Sequence, residues 1–128
     1  VAQIHLGLAD HISLGTLDSK RDWGYAPDYV EAMWLMMQQD KPEDFVISTG
    51  EAHSVKDFLN FVFDAADLEV EKYVDIDERL YRPHEVPYLL GDSTKARERL
   101  GWRPKMSFNE LARYMYDEDL KLVKGGMR

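Results

Sequence analysis

Between Asp28 and Leu68 the chain reads as a helix, a short apolar run and a second helix, and that alternation limits the fold more than any other feature. "DYVEAMWLMMQQD" (28–40) carries Val30, Met33, Trp34 and Met37 at helical spacing. Asp28 and Glu31 form a capping-box pattern at its start, and Pro42 lies just beyond its end. "DFVIS" (44–48) is rich in β-formers and closed by Thr49-Gly50, which predicts a buried strand over 45–49, apolar on both faces as in a parallel sheet. In "HSVKDFLNFVFDAADL", Ser54 is placed to cap, and Val55, Phe58, Leu59, Val62 and Ala66 share one helix face. Strands alternating with helices predict the α/β class.

The flanking segments extend the pattern. Residues 1–9 read as the end of a helix, and "HISLG" (11–15) as a short strand ending at Gly15. Residues 16–27 are mostly polar, with Gly24 and Pro27 as punctuation, and read as a loop or short hairpin carrying Arg21. "EKYVDID" (71–77) predicts a strand, and 78–92, with Pro83 and Pro87, an extended loop. "STKARERL" (93–100) predicts a short helix closed by Gly101 at C′. "SFNELARYMYDEDLKLV" (107–123) predicts the last helix, with Ser107 and Glu110 as its capping box and "KGGMR" as a fraying end. Two or three short strands make a poor independent sheet, so they are expected to join strands outside this chain. The opening "VAQIHLGLAD" lacks an initiator Met and a basic n-region, and reads as the middle of a helix in a longer protein.

Composition narrows the function classes. The 128 residues are 45% hydrophobic and 31% charged, an ordinary globular balance with enough chain for one modest domain. The formal net charge of −8 disfavours nucleic acid and anionic membranes as partners, and no apolar run approaches the length of a membrane span. With no cysteine there is no disulfide and no thiolate metal site, which fits a cytoplasmic protein. His5, His11, His53 and His84 show no metal-ligand spacing. The sequence contains no G-x-G-x-x-G, no G-x-x-x-x-G-K-[ST], no G-x-S-x-G and no Tyr-x-x-x-Lys. Met33, Trp34, Met36 and Met37 read as a helix buried on several sides rather than as a cofactor box.

A strongly acidic chain nevertheless has two arginines in suggestive settings. Arg21, in "KRDWG", follows a predicted strand and is able to grip a phosphate in two-pronged fashion. A local ion pair with Asp18 or Asp22 is the commoner fate of a loop arginine. Arg82 precedes Pro83, which disfavours the α region and stiffens an extended segment, so that less entropy is lost on binding an anion. Glu85, three positions on, is able to accept hydrogen bonds from a ribose diol, or to pair with Arg82 on the surface. The spacing by itself leaves both readings open.

Longer runs are more specific. "SLGTLDSKRDWGYAPDYVEAMWLMMQQDKPEDFVISTGEAHSV" and "YRPHEVPYLLGDSTKARERLGWRP" strongly resemble the C-terminal half of the GDP-mannose 4,6-dehydratase family of extended short-chain dehydrogenases/reductases. The resemblance covers essentially the whole chain, with "LEVEKYVDIDERL" as the short version of a segment that is longer in some relatives. It implies an α/β fold in which a substrate-binding domain, with some strands and helices, joins a Rossmann sheet lying outside residues 1–128. It implies an enzyme that converts GDP-mannose to GDP-4-keto-6-deoxymannose with a retained NADP. Hydride leaves C4, water is eliminated across C5 and C6, and the hydride returns at C6. The family's active-site Thr, Glu, Tyr and Lys and its Gly-rich cofactor loop have no counterpart here, so the chain alone is expected to carry no catalytic residue and no cofactor site. The resemblance places Arg21 on the GDP portion, Arg82 on the pyrophosphate, Glu85 on the ribose hydroxyls, and Gly15 at a turn whose backbone lies beside the nucleotide. It also implies a homo-oligomer. A related nucleotide-sugar epimerase or reductase, or a non-catalytic binding domain, is the alternative.

Overall fold

The computed structural model describes residues 1–126. Contacts divide the chain into two compact units. One comprises Val1–Ser19, Ser54–Pro87 and the segment from Ala112 onward, and the other Lys20–His53 and Tyr88–Leu111.

The first unit contains α1 (Ala2–His5), β1 (Ile12–Leu14), α3 (Val55–Ala65), α4 (Val70–Tyr73), β4 (Val74–Ile76) and most of the last helix, α6 (Phe108–Gly126). β1 and β4 pair in parallel, with Ile12 opposite Val74, Ser13 opposite Asp75 and Leu14 opposite Ile76. α3 forms where Ser54 caps it. The Ser54 hydroxyl accepts from the Asp57 N–H at 3.0 Å, and the Asp57 carboxylate accepts from the Ser54 N–H at 2.8 Å. Its apolar face is fully used. Leu59 and Phe63 pack with Ile4, Ile12, Leu14 and Val74, while Val62 and Ala66 pack with Ala112 and Tyr116 of α6. At the rim of this core His5 Nδ1 lies 3.1 Å from both the Ala66 carbonyl and the Tyr116 hydroxyl, and burial raises the Tyr116 pKa.

The second unit holds β2 (Lys20–Asp22), α2 (Ala26–Met37), β3 (Ala52–Ser54, as far as His53) and α5 (Thr94–Leu100). β2 pairs with β3, and Lys20 also bridges in parallel to Tyr88. Its core is Ala32, Ala96, Leu100 and Trp102, with Leu35, Met36, Phe45 and Ile47 packed around. Gly101 ends α5 at φ +68°, the left-handed cap that glycine adopts without strain.

Several expectations need correction. α2 begins at Ala26, two residues before Asp28, because Pro27 suits the first turn and its missing N–H costs nothing there. Asp28 is therefore not a cap. It is buried, its carboxylate accepts the Lys105 N–H at 2.9 Å, and its carbonyl accepts the Trp102 indole N–H at 2.7 Å. Glu31 pairs with the Lys105 ammonium instead of closing a box. Residues 45–49 are not a strand. They meet no neighbouring ladder among the described residues, and of their apolar side chains Phe45 and Ile47 face the core while Val46 is exposed. Arg21 stands in a short strand, not a loop. Residues 70–73 are helical, so the strand predicted over 71–77 shrinks to Val74–Ile76. The Ser107–Glu110 box does form, and α6 continues through Lys124 to Gly126; Met127 and Arg128 lie outside the described residues.

Candidate functional site

In the first unit, three of the four candidate residues lie on one stretch of chain and the turn beneath it. β1 and β4 end side by side, and the Asp77 N–H donates to the Leu14 carbonyl at 2.8 Å just past the last paired residues. Asp77 then reverses the chain. Its carboxylate accepts the Arg79 N–H and the Arg79 guanidinium at 2.9 and 2.7 Å, which starts a 3₁₀ turn (Glu78–Leu80) and holds the Asp77 carboxyl below its usual range. The turn lies on Gly15. A Cβ there would sit 2.8 Å from the Leu80 carbonyl oxygen, so only glycine lets the two backbones approach this closely. Tyr81, Arg82 and Pro83 follow, all exposed, and Glu85 is half-buried. Among the described residues no ion pair joins Arg82 to Glu85, so the surface pair weighed against a binding role does not form. Beside Gly15 opens a cavity of about 350 Å³, lined by Thr16, Leu17, Asp18, Lys56, Ile76 and Tyr81.

Arg21 belongs to the second unit. One of its guanidinium nitrogens donates to the Lys20 carbonyl at 2.7 Å. It borders a cavity of about 380 Å³ shared with Asp22, Tyr29, Ser48, Leu89 and Gly91. Asp22 organises that cavity. Its carboxylate accepts the Thr49 N–H at 2.8 Å, the Thr49 hydroxyl at 2.6 Å and the Gly50 N–H at 2.9 Å, with the Gly91 N–H more distant at 3.4 Å. Gly91 packs so tightly that a Cβ would fall 2.4 Å from the Ser48 Cβ. Ser93, which begins α5, donates its hydroxyl to the Ser48 carbonyl at 2.9 Å rather than capping the helix. The Ser48 hydroxyl itself is buried and has no hydrogen-bond partner among the described residues. From the sequence, Asp22 is only a possible ion-pair mate for Arg21. No local rule announces an acceptor for backbone 27 residues downstream. The only hint is that a Thr-Gly turn presents two N–H groups and a hydroxyl that need an acceptor.

Among the described residues, no group of three His, Asp or Glu is placed to hold a metal ion, and no helix is long and apolar enough to cross a membrane.

Residues 1–115 match the sequence profile of the family described as GDP-mannose 4,6 dehydratase, a span that includes Gly15, Arg21, Arg82 and Glu85. GDP-mannose 4,6 dehydratase 1 of Arabidopsis thaliana is 50% identical over 124 residues, covering 97% of this chain and 34% of the relative. The Homo sapiens enzyme is 47% identical over 141 aligned positions, covering 97% of this chain and 38% of its own length. The chain thus spans little more than a third of the relatives it matches. Among solved structures, RMD from Pseudomonas aeruginosa in complex with NADPH superposes with a TM-score of 0.82 over 94% of this chain and 39% of that one, at 18% identity, which speaks to fold alone. UDP-glucose 4-epimerase from Thermotoga maritima with UDP-glucose superposes with a TM-score of 0.77 at 28% identity, over 95% of this chain and 38% of that one.

Proposed function

The chain belongs to the GDP-mannose 4,6-dehydratase family, and from that premise we propose that it is the nucleotide-sugar-binding portion of an NADP-dependent dehydratase acting on GDP-mannose. The observation that carries this reading is that the family match, over residues 1–115, takes in all four candidate residues. Arg82 and Arg21 supply fixed positive charge for the diphosphate. Arginine suits this role because its planar fork pairs with two phosphate oxygens at once and stays charged at every working pH. Glu85 takes the ribose hydroxyls, and the close approach at Gly15 leaves backbone free to lie against the nucleotide. The net charge of −8 does not oppose this, since distant surface carboxylates are screened within about 8–10 Å while a contacting arginine is not.

The residues present do not fit NADP. Among the described residues no Gly-rich turn leads from a strand into a helix N-terminus, and each sheet has only two strands of three residues. We therefore assign the dinucleotide and the hydride chemistry to protein outside residues 1–128, and assign no catalytic residue within them. The complete enzyme is proposed to be a cytoplasmic homo-oligomer.

Calorimetric titration of the intact protein carrying this sequence tests the reading. GDP-mannose is expected to bind and UDP-glucose to bind far more weakly. The opposite preference would move the chain to the epimerases, and no affinity for either would leave a domain with another partner.

A further inference from the structure

We propose that Trp23 is a positioning residue for Arg21: its indole N–H, bonded to the His53 carbonyl, holds in place the strand that presents the guanidinium to the diphosphate. This rests on the reading of Arg21 as a phosphate ligand and deepens it by naming what keeps that arginine still.

The need for a strut comes from β2 itself. Arg21 is the middle residue of a three-residue strand in a two-stranded sheet, and a ribbon that small is barely stable by its own ladder. A guanidinium grips a phosphate in two-pronged fashion only when its fork is aligned, so a strand that drifts takes the contact with it. The groups on either side of Arg21 supply the missing stiffness. Before it, the Lys20 carbonyl accepts the Leu89 N–H at 3.1 Å, and the Arg21 guanidinium donates to that same carbonyl at 2.7 Å. After it, the Asp22 carboxylate holds the Thr49–Gly50 turn, and Trp23, one residue past the end of β2, donates its indole N–H to the His53 carbonyl at 3.2 Å.

The anchor at the far end of this bond is firm. His53 is the middle residue of β3, the partner of β2, and its ring stacks flat on Phe108, with 3.8 Å between centroids and 9° between planes. Phe108 is buried at the start of α6, where the Ser107–Glu110 box closes the first turn. The indole bond therefore ties the open end of β2 to a residue that is itself clamped between a strand and a helix. Of the two struts after Arg21, Trp23 is the one that can be removed cleanly. Asp22 serves several donors at once, so its loss reaches the fold. The Trp23 bond is a single neutral contact from a half-buried residue, and its loss is expected to loosen β2 while the rest stays folded.

The test is calorimetry on the intact protein with GDP and with guanosine, which has no phosphate for Arg21 to hold. Two changes are made at Trp23. Trp23→Phe removes the N–H with part of the ring. Replacement by benzothienylalanine, in which sulfur stands in for the indole N–H, keeps the shape and removes only the donor. Both are expected to lower GDP affinity by about fivefold, the usual worth of one neutral hydrogen bond, and to leave guanosine affinity unchanged. In an Arg21→Ala background neither is expected to weaken GDP further, because the two residues act through one contact. Urea unfolding checks that the variants remain folded. If both bind GDP like the parent while Arg21→Ala does not, the phosphate reading stands and Trp23 has no positioning role. A loss that extends to guanosine, or that persists without Arg21, would make Trp23 a support of the fold at large and overturn the proposal. If Arg21→Ala itself leaves GDP affinity unchanged, both readings fall.

Discussion

Arg82, Glu85 and Asp22 show how differently three charged side chains in one chain are employed. Arg82 is exposed, stiffened by Pro83 and not paired with Glu85, so its charge is available to a ligand. Arg82→Ala is expected to weaken GDP binding to the intact protein by about 1.5–3 kcal/mol, with Arg82→Lys recovering only part, because a point charge does not reproduce the fork. Calorimetry that finds both variants unchanged would remove Arg82 from the site. Glu85 is separable from it. If it takes ribose hydroxyls, Glu85→Gln weakens GDP more than 2′,3′-dideoxy-GDP, whereas Arg21→Ala, acting on phosphate, weakens both equally. Equal losses on Glu85→Gln would end the ribose role. Asp22 spends its charge internally, on two N–H groups and a hydroxyl. Asp22→Ala is expected to destabilise the fold by roughly 2–4 kcal/mol, since it orphans several donors at once. Urea unfolding of the ligand-free protein measures this, and a loss seen only in GDP affinity would contradict it.

Among the elements, two glycines separate backbone strain from packing. Gly101 caps α5 at φ +68° with nothing within 4 Å of where a Cβ would stand. Gly101→Ala therefore costs only the left-handed conformation, about 1–2 kcal/mol, and Gly101→Asn costs less. Gly91 has no positive φ, but its Cβ would collide with Ser48 across a backbone pinned by the Ser93–Ser48 bond. Gly91→Ala is expected to cost more than Gly101→Ala and to be relieved in part by Ser48→Gly; thermal unfolding of the three variants tests the order. The caps at Ser54 and Ser107 were legible because a capping box is a contact between neighbours three residues apart. The start of α2 was not. Pro27 outranks Asp28 as a starting signal here, and Asp28 is drawn away by the Lys105 N–H and by the Trp102 indole bonded to its carbonyl, partners more than 70 residues distant.

For the molecule as a whole, the α2 stripe is the feature with the largest measurable consequence. Ala32, Leu35 and Met36 face the second unit's core, while Val30, Met33, Trp34 and Met37 are 63, 59, 61 and 81% exposed. A helix apolar all round that buries one side leaves the other as contiguous greasy surface. The 128 residues produced alone are expected to bind an environment-sensitive apolar dye, and Trp34→Glu with Met37→Glu to abolish most of that signal. Two-state unfolding of the 128 residues with no dye binding would show the stripe to be covered.

What could be read from residue order was whatever local physics decides: the α/β alternation, the helix faces, the Ser54 cap, the Ser107–Glu110 capping box, and the glycine after α5. The family, too, was legible, because its long runs survive as linear strings. Residues 45–49 show the limit. Their composition is that of a buried strand, but a strand exists only when a neighbour supplies the ladder, and here, of the apolar side chains, only Phe45 and Ile47 find a core. The Asp22 acceptor, the Gly15–Leu80 approach and the Trp23–His53 bond likewise join positions tens of residues apart. Such contacts depend on how the chain closes on itself, and no spacing rule reaches that far.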